Sequence, residues 1–228
     1  MTKPIRAALA AALAVLAAAA GPVRAEEAGA APAPAAPEVS RSGIPYLPDD
    51  KLGPPDLVDA IRSRRAGGKL LNLDRILLYS PNFAKGWNAQ FGAIRNQLSL
   101  PPKLRELAIM AIGALNHSEY EWAQHEGEFL KAGGSKQQLA ALRKDAAAAA
   151  RDRKLFDEPE RAALALTTEM TRKIAVSPAT MKRVRAALPD PQVVELAGTI
   201  AGYNMVSRFV VVLGIEVEGP PGAKTSAR

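Results

Sequence analysis

Cysteine is absent from this 228-residue chain. Without a thiol there is no disulfide, no thiol-peroxidase cycle, no lipid anchor on cysteine and no Cys-ligated zinc. Histidine occurs only as His117 and His125, and Phe, Trp and Tyr together make 5% of the residues. Strand-like alternation is nearly missing. Phe209–Leu213 is the one β-rich stretch, and it follows Val193–Tyr203 without a breaker, so it reads as the buried end of a long helix. The formal charge is +7, yet no block of five or six like charges occurs. Basic residues interleaved with acidic ones do not form the stripe that tracks a phosphate backbone, so nucleic acid is not an expected partner.

Long hydrophobic runs are also scarce. The main one, Ala7–Ala20, is too short and too rich in alanine for a membrane span, which needs about 20 strongly apolar residues. It follows Lys3 and Arg6 and leads through Gly21 and Pro22 to Val23-Arg24-Ala25. A charged start, an apolar middle and a small-residue exit are the marks of a secretory signal, with cleavage after Ala25. An uncleaved N-terminal anchor is the alternative. Cleavage removes Lys3, Arg6 and Arg24, and the formal charge falls from +7 to +4. The expected organisation is a signal at 1–25, an Ala/Pro-rich tether and surface-wrapping segment at 26–55, one helical domain at 56–217, and a loose tail at 218–228. The expected location is periplasmic or secreted, with no stable membrane insertion once the signal is gone.

Helix starts recur as a capping residue followed by proline or by a capping-box partner. They are Ser80-Pro81, Pro101-Pro102, Ser118 with Glu121, Ser135 with Gln138, Asp157 with Glu160, Ser177-Pro178 and Asp190-Pro191. Gly67-Gly68 and Gly133-Gly134 mark helix ends, where glycine can take the left-handed conformation. Between these marks apolar residues return at helical spacing, as in Leu104, Leu107, Ala108, Ala111 and Leu115. The spacing predicts an all-α fold, a single-domain bundle of about eight or nine helices.

Against that apolar texture the densest polar group is Glu106 together with Asn116–Glu126. Glu121 and His125 are four apart and share a helix face. An antiparallel return through Asn116–Ser118 could set Glu106 opposite His125. A carboxylate beside an imidazole fixes its tautomer and brings its proton transfer near neutral pH. Structural roles stand beside this reading: Glu121 as capping partner of Ser118, Glu121 with His125 as an exposed helical pair, and Glu106 in a salt bridge to Arg105 or another helix. His117, Glu121 and His125 would align as metal ligands only if one helix ran through all three, and the Ser118 cap argues for a break. No metal or cofactor is expected. Asn204 and Arg208 share a face, and Arg208 could hold a substrate carboxylate or pair with Glu106 or Glu195. Trp87, Phe91 and Trp122 read as core aromatics. Tyr120 and Trp122, which flank Glu121, are also candidate substrate contacts.

Three ordered motifs carry a family resemblance: Leu100-Pro101-Pro102-Lys103-Leu104-Arg105-Glu106-Leu107, Ser118-Glu119-Tyr120-Glu121-Trp122-Ala123-Gln124-His125, and Gly202-Tyr203-Asn204-Met205-Val206-Ser207-Arg208-Phe209. The chain resembles the carboxymuconolactone decarboxylase-like family over residues 62–216. The resemblance implies the alkyl hydroperoxidase D-like helical fold and assembly into trimers or hexamers. The family's peroxidase branch has Glu, eleven residues, Cys, two residues, Cys, three residues, His, which falls here on Glu106, Ser118, Glu121 and His125. Both redox positions lack sulfur, so peroxiredoxin-type activity is disfavoured. The decarboxylase branch is similar in placing a glutamate four residues before the histidine. It implies a cofactor-independent lyase or hydrolase acting on a small carboxylated or lactone compound. His125 would be the general acid, Glu106 or Glu121 would orient it, and Arg208 or Arg105 would hold a substrate carboxylate. The alternative is a non-catalytic small-ligand binding protein or oligomeric scaffold.

Overall fold

A computed structural model describes residues 38–219; the expected signal, residues 26–37 of the tether and residues 220–228 of the tail lie outside the described residues. Nine α-helices and no extended strand occur among the described residues: α1 (Pro55–Arg62), α2 (Asn72–Leu77), α3 (Pro81–Asn96), α4 (Pro102–Leu115), α5 (Glu119–Lys131), α6 (Lys136–Ala149), α7 (Glu158–Lys173), α8 (Pro178–Ala187) and α9 (Asp190–Val212). None of them is long and apolar enough to cross a membrane.

The sequence punctuation accounts for most of these boundaries. Ser135 Oγ accepts from Gln138 N–H at 3.1 Å while the Gln138 side chain accepts from Ser135 N–H at 3.1 Å, closing a reciprocal cap on α6. Asp157 and Glu160 do the same for α7 at 2.9 and 3.0 Å. At the end of α5, Gly133 takes φ +94°, and Gly133 and Gly134 N–H return to Leu130 and Phe129 carbonyls. Other marks read differently: Ser80 makes no side-chain cap bond, and Asp190 is the first residue of α9 with Pro189 at the cap. α1 stops at Arg62, ahead of Gly67-Gly68, which instead form a separate 3-10 turn with both φ values positive. Ser118 does not cap α5 with its side chain. Its Oγ is buried without a partner, because His117 turns the chain through φ +53° and Ser118 N–H bonds back to Gly113 O at 2.8 Å.

Helix α4 is the axis of the bundle and packs against α5, α6, α7 and α9. A helix surrounded on every side must be apolar all round. Leu107, Ala108, Ile109, Met110, Ala111 and Ile112 are accordingly fully buried. Glu106 is the single ionisable side chain among its buried residues. The end of α9 is helical as expected but only half covered: Val210 is buried, whereas Val211 and Val212 are exposed.

The stretch before α1 lies against the stretch after α9. Arg41 N–H donates to Gly214 O at 2.9 Å, and Glu216 N–H donates to the buried Tyr46 hydroxyl at 3.0 Å. Glu218, in the segment expected to be a loose tail, has a docked carboxylate. It accepts from Asn72 N–H at 2.6 Å, Tyr120 Oη at 3.1 Å and Gln124 Nε2 at 2.6 Å.

Candidate active site

The short turn at Asn116–Ser118 sends α5 back along α4 and sets an acid of one helix against the imidazole of the other. His125 Nδ1 lies 2.8 Å from Glu106 Oε2, with the two side chains 8% and 1% exposed. The other carboxylate oxygen of Glu106 accepts from Arg105 Nε at 3.1 Å. Burial pushes the Glu106 carboxyl up, but the hydrogen bond to His125 and the positive charge of Arg95 and Arg105 outweigh it and leave the group below its ordinary range. Burial draws His125 down further than Glu106 restores it, so the imidazole is neutral at neutral pH. An ionised carboxylate can only accept, so Nδ1 carries the proton. Nε2 then keeps its lone pair.

Glu121 sits in the opposite electrostatic condition. It is 2% exposed, and neither carboxyl oxygen has a hydrogen-bond partner among the described residues. Burial alone pushes its pKa well above the ordinary value and favours the neutral acid. The surroundings thus push the two carboxyls in opposite directions, a pattern that separates acid from base.

Glu121 and His125 both face a cavity of about 280 Å³. Trp87, Phe91, Tyr120 and Tyr203 form its aromatic wall, and Arg64, Arg65 and Arg95 bring positive charge. Trp87 and Phe91, read as core, are therefore both buried and cavity-lining. Arg95 continues their four-residue spacing on α3, a signal in the sequence that would have found it. Arg64 and Tyr203 carried no such signal.

Several expected contacts lie elsewhere. Arg208 is exposed and donates to Asn204 O and Oδ1, both at 2.8 Å. Asn204 in turn donates to Thr171 Oγ1 at 2.9 Å and accepts from Asn116 Nδ2 at 3.1 Å, tying α9 to α7 and to the α4–α5 turn. Neither residue lines the cavity, because Tyr203 and Val206 occupy the facing side of α9. Trp122 is one position past Glu121 and is rotated away. Its indole donates to Glu126 at 3.2 Å, and the Arg143 guanidinium lies 3.7 Å above its ring. Arg105 stands behind Glu106 and donates to Arg95 O at 2.9 Å. Of the expected substrate contacts only Tyr120 faces the cavity, with its hydroxyl turned to Glu218. His117 falls outside α5 and lines a second cavity with Ser118. Among the described residues no three His, Cys, Asp or Glu side chains converge as metal ligands would.

Residues 81–169, which hold Arg95, Glu106, Glu121 and His125, match the profile of the Carboxymuconolactone decarboxylase family. Over that segment the chain resembles the family. No curated protein matches it. Among solved structures, the alkylhydroperoxidase AhpD core of a peroxidase-related protein from Ralstonia eutropha JMP134 is similar at 18% identity and TM-score 0.67, covering 80% of this chain and 94% of that one. The debrominase Bmp8 is similar at 17% identity and TM-score 0.64, covering 76% and 90%. A putative antioxidant defence protein AhpD from Agrobacterium tumefaciens is similar at 19% identity and TM-score 0.55, covering 64% and 97%. At these identities the likeness is one of fold: the chain has the AhpD-like fold without a cysteine.

Proposed function

We propose that this chain is a cofactor-independent acid–base enzyme, of lyase or hydrolase type, acting on a small carboxylated or lactone compound. The observation that carries the reading is the buried, unpartnered Glu121 carboxyl beside His125 on one cavity, with His125 bonded at 2.8 Å to Glu106 behind it. The roles expected from the resemblance change accordingly. His125, neutral and steered by Glu106, is the base through Nε2; Glu121 is the acid. In a decarboxylation the breaking C–C bond leaves its electron pair on the substrate carbon, CO2 departs, and Glu121 delivers the proton. In a lactone hydrolysis His125 takes a proton from the attacking water and Glu121 protonates the leaving oxygen. That a protein of this fold is named a debrominase supports catalysis at such a site in general terms.

Turnover of a panel of small lactones and carboxylic acids in a pH-stat under nitrogen tests this. Decarboxylation consumes a proton as CO2 is swept away, whereas lactone opening releases one. His125→Gln should lower turnover roughly 10²- to 10⁴-fold, the usual range for a positioned proton-transfer group. The acid limb of the pH–rate profile should lie below the ordinary imidazole value of 6.5, because His125 is shifted downward. Unchanged turnover in the variant, with the fold intact, refutes the assignment.

The proposal extends to an exported protein that self-associates. The Ala7–Ala20 run with its Ala25 exit supports export, and a mature N-terminus at Glu26 by mass spectrometry would establish it. Exposed Val194, Met205 and Val212 on α9 support a homo-oligomer, which light scattering on the purified protein would measure.

A further inference from the structure

Glu106 gives one of its two carboxylate oxygens to His125 and the other to Arg105, the residue before it on α4. Consecutive side chains on a helix point in different directions, so this ion pair does not follow from the spacing: the guanidinium has to fold back onto the acid. A second bond fixes it there. Arg105 Nη1 donates to Arg95 O at 2.9 Å, and Arg95 is the last residue but one of α3. The final carbonyls of a helix have no partner within it and carry the negative end of its dipole, which suits a cation. The Arg105 side chain is 14% exposed beside a Glu106 that is 1% exposed, and it does not line the cavity. Any effect it has on a substrate passes through the residues in front of it.

The hydrogen between Glu106 and His125 can rest on either partner. On Nδ1 it leaves the carboxylate ionised and Nε2 with a lone pair. On Glu106 it makes an acid that donates to Nδ1, and the neutral ring then carries its own hydrogen on Nε2. Only the first arrangement is a base at Nε2. Burial favours the second, because it removes a charge from the interior. The groups that decide between them come from every side of the ring: Glu106 and Arg105 on α4, Arg95 on α3, Glu121 and Glu128 on α5, Tyr203 on α9, and Arg64 and Arg65 ahead of α2. Most of the cations are engaged elsewhere. Asp74 binds Arg65, Asn88 accepts from Arg64, and Glu128 lies 3.9 Å from Arg95. Arg105 is the one that, among the described residues, donates to Glu106 itself, 3.1 Å from the oxygen that His125 does not use. There it stabilises the carboxylate without competing for the lone pair that holds Nδ1.

We propose that Arg105 is the positioning residue of this pair: bridging Glu106 and the end of α3, it keeps the carboxylate ionised and so holds the imidazole in the tautomer that leaves Nε2 free to accept a proton. The three side chains then act as base, orienter and support, the division of labour found in catalytic triads. This role differs from the expected one, in which Arg105 would hold a substrate carboxylate. It deepens the acid–base reading and rests on it for the use made of Nε2; the tautomer itself exists with or without turnover.

Long-range 1H–15N NMR of the imidazoles tests it, because protonated and bare ring nitrogens resonate apart. The chain has two histidines, so the exposed His117 is assigned by its loss in His117→Gln and the remaining ring is His125. At pH 7.5 the parent should show His125 with its hydrogen on Nδ1. Arg105→Gln should shift the tautomer ratio roughly ten-fold or more toward Nε2–H, the scale of one charge-assisted hydrogen bond. Its imidazole should also titrate at higher pH, since a nearby positive charge is gone. Arg105→Lys keeps the charge without the two-pronged fork and should restore most of the parent ratio. If the glutamine protein does not fold, Arg105→Met, which keeps the packing of the stem, takes its place. A parent ring already hydrogenated on Nε2, or an unchanged ratio in the folded glutamine or methionine protein, overturns the proposal. For a compound that turns over, kcat should fall in Arg105→Gln with KM unchanged. If the ratio follows Arg105 while nothing turns over, the positioning role stands and the enzymatic reading falls. Turnover with both kcat and tautomer indifferent to Arg105 leaves the reverse.

Discussion

Replacing Glu121 by methionine tests the electrostatics of the site without opening a large hole, since the two side chains have similar length. In the folded protein both carboxyl oxygens are buried without partners, and a buried unsatisfied polar group costs about 1–3 kcal/mol. Removing it should raise stability by that amount, or about 2–4 °C in Tm per kcal/mol for a domain of this size. The dependence on pH is more diagnostic. Glu121 has its folded pKa raised above the ordinary 4.5. Below pH 4.5 both folded and unfolded chains hold the proton. Above it the unfolded chain releases the proton and the folded chain retains it, so this group makes stability fall as pH rises, by about 1.4 kcal/mol per unit until the folded group also ionises. Glu121→Met lacks that slope. Urea melts of both proteins at pH 4.5 and pH 7.5 should therefore show a gap that widens toward the higher pH, while turnover in the variant is lost. A variant less stable than the parent at pH 7.5, or a gap independent of pH, would refute a neutral, unpartnered Glu121.

Two further substitutions examine the packing of the fold. Asp74 is 1% exposed, binds Arg65 through both oxygens and also accepts from Leu71 N–H at 2.9 Å. Asp74→Asn leaves Arg65 without its counter-charge and should cost about 3–5 kcal/mol, read as a lower urea midpoint. Gly134→Ala would place a methyl into the ring of Phe129, which is fully buried and has nowhere to move. A loss of about 1–3 kcal/mol is expected, and an unchanged thermal midpoint would show that the ring can shift.

Local chemistry explains what could be read without coordinates. The capping pairs of α6 and α7 act within four residues, so their spacing alone located those helices. Glu106 stood out because an ionised group inside an apolar helix needs a partner, and the short return to α5 placed His125 within reach. The failures are equally physical. α9 is apolar on most sides, so its sequence does not say whether Tyr203 or Asn204 faces the site, and a step of one residue turns a side chain by a quarter of a circle or more. The same single step removes Trp122. Arg64 follows α1 in a turn whose position is set by packing against α3, which no local pattern records. The left-handed His117 redirected Ser118 and cancelled a cap that its sequence advertises.

Glu218 joins the backbone at the start of α2 to two side chains of α5, and Tyr120, Gln124 and the neighbouring Leu71 all border the cavity. Three segments distant in sequence therefore take their relative placement from one carboxylate near the C-terminal end of the described chain. Defects introduced at those three places will not sum, because each relaxes the same knot. A fusion or truncation that disturbs Glu218 will imitate an active-site lesion while every proton-transfer residue is still in place.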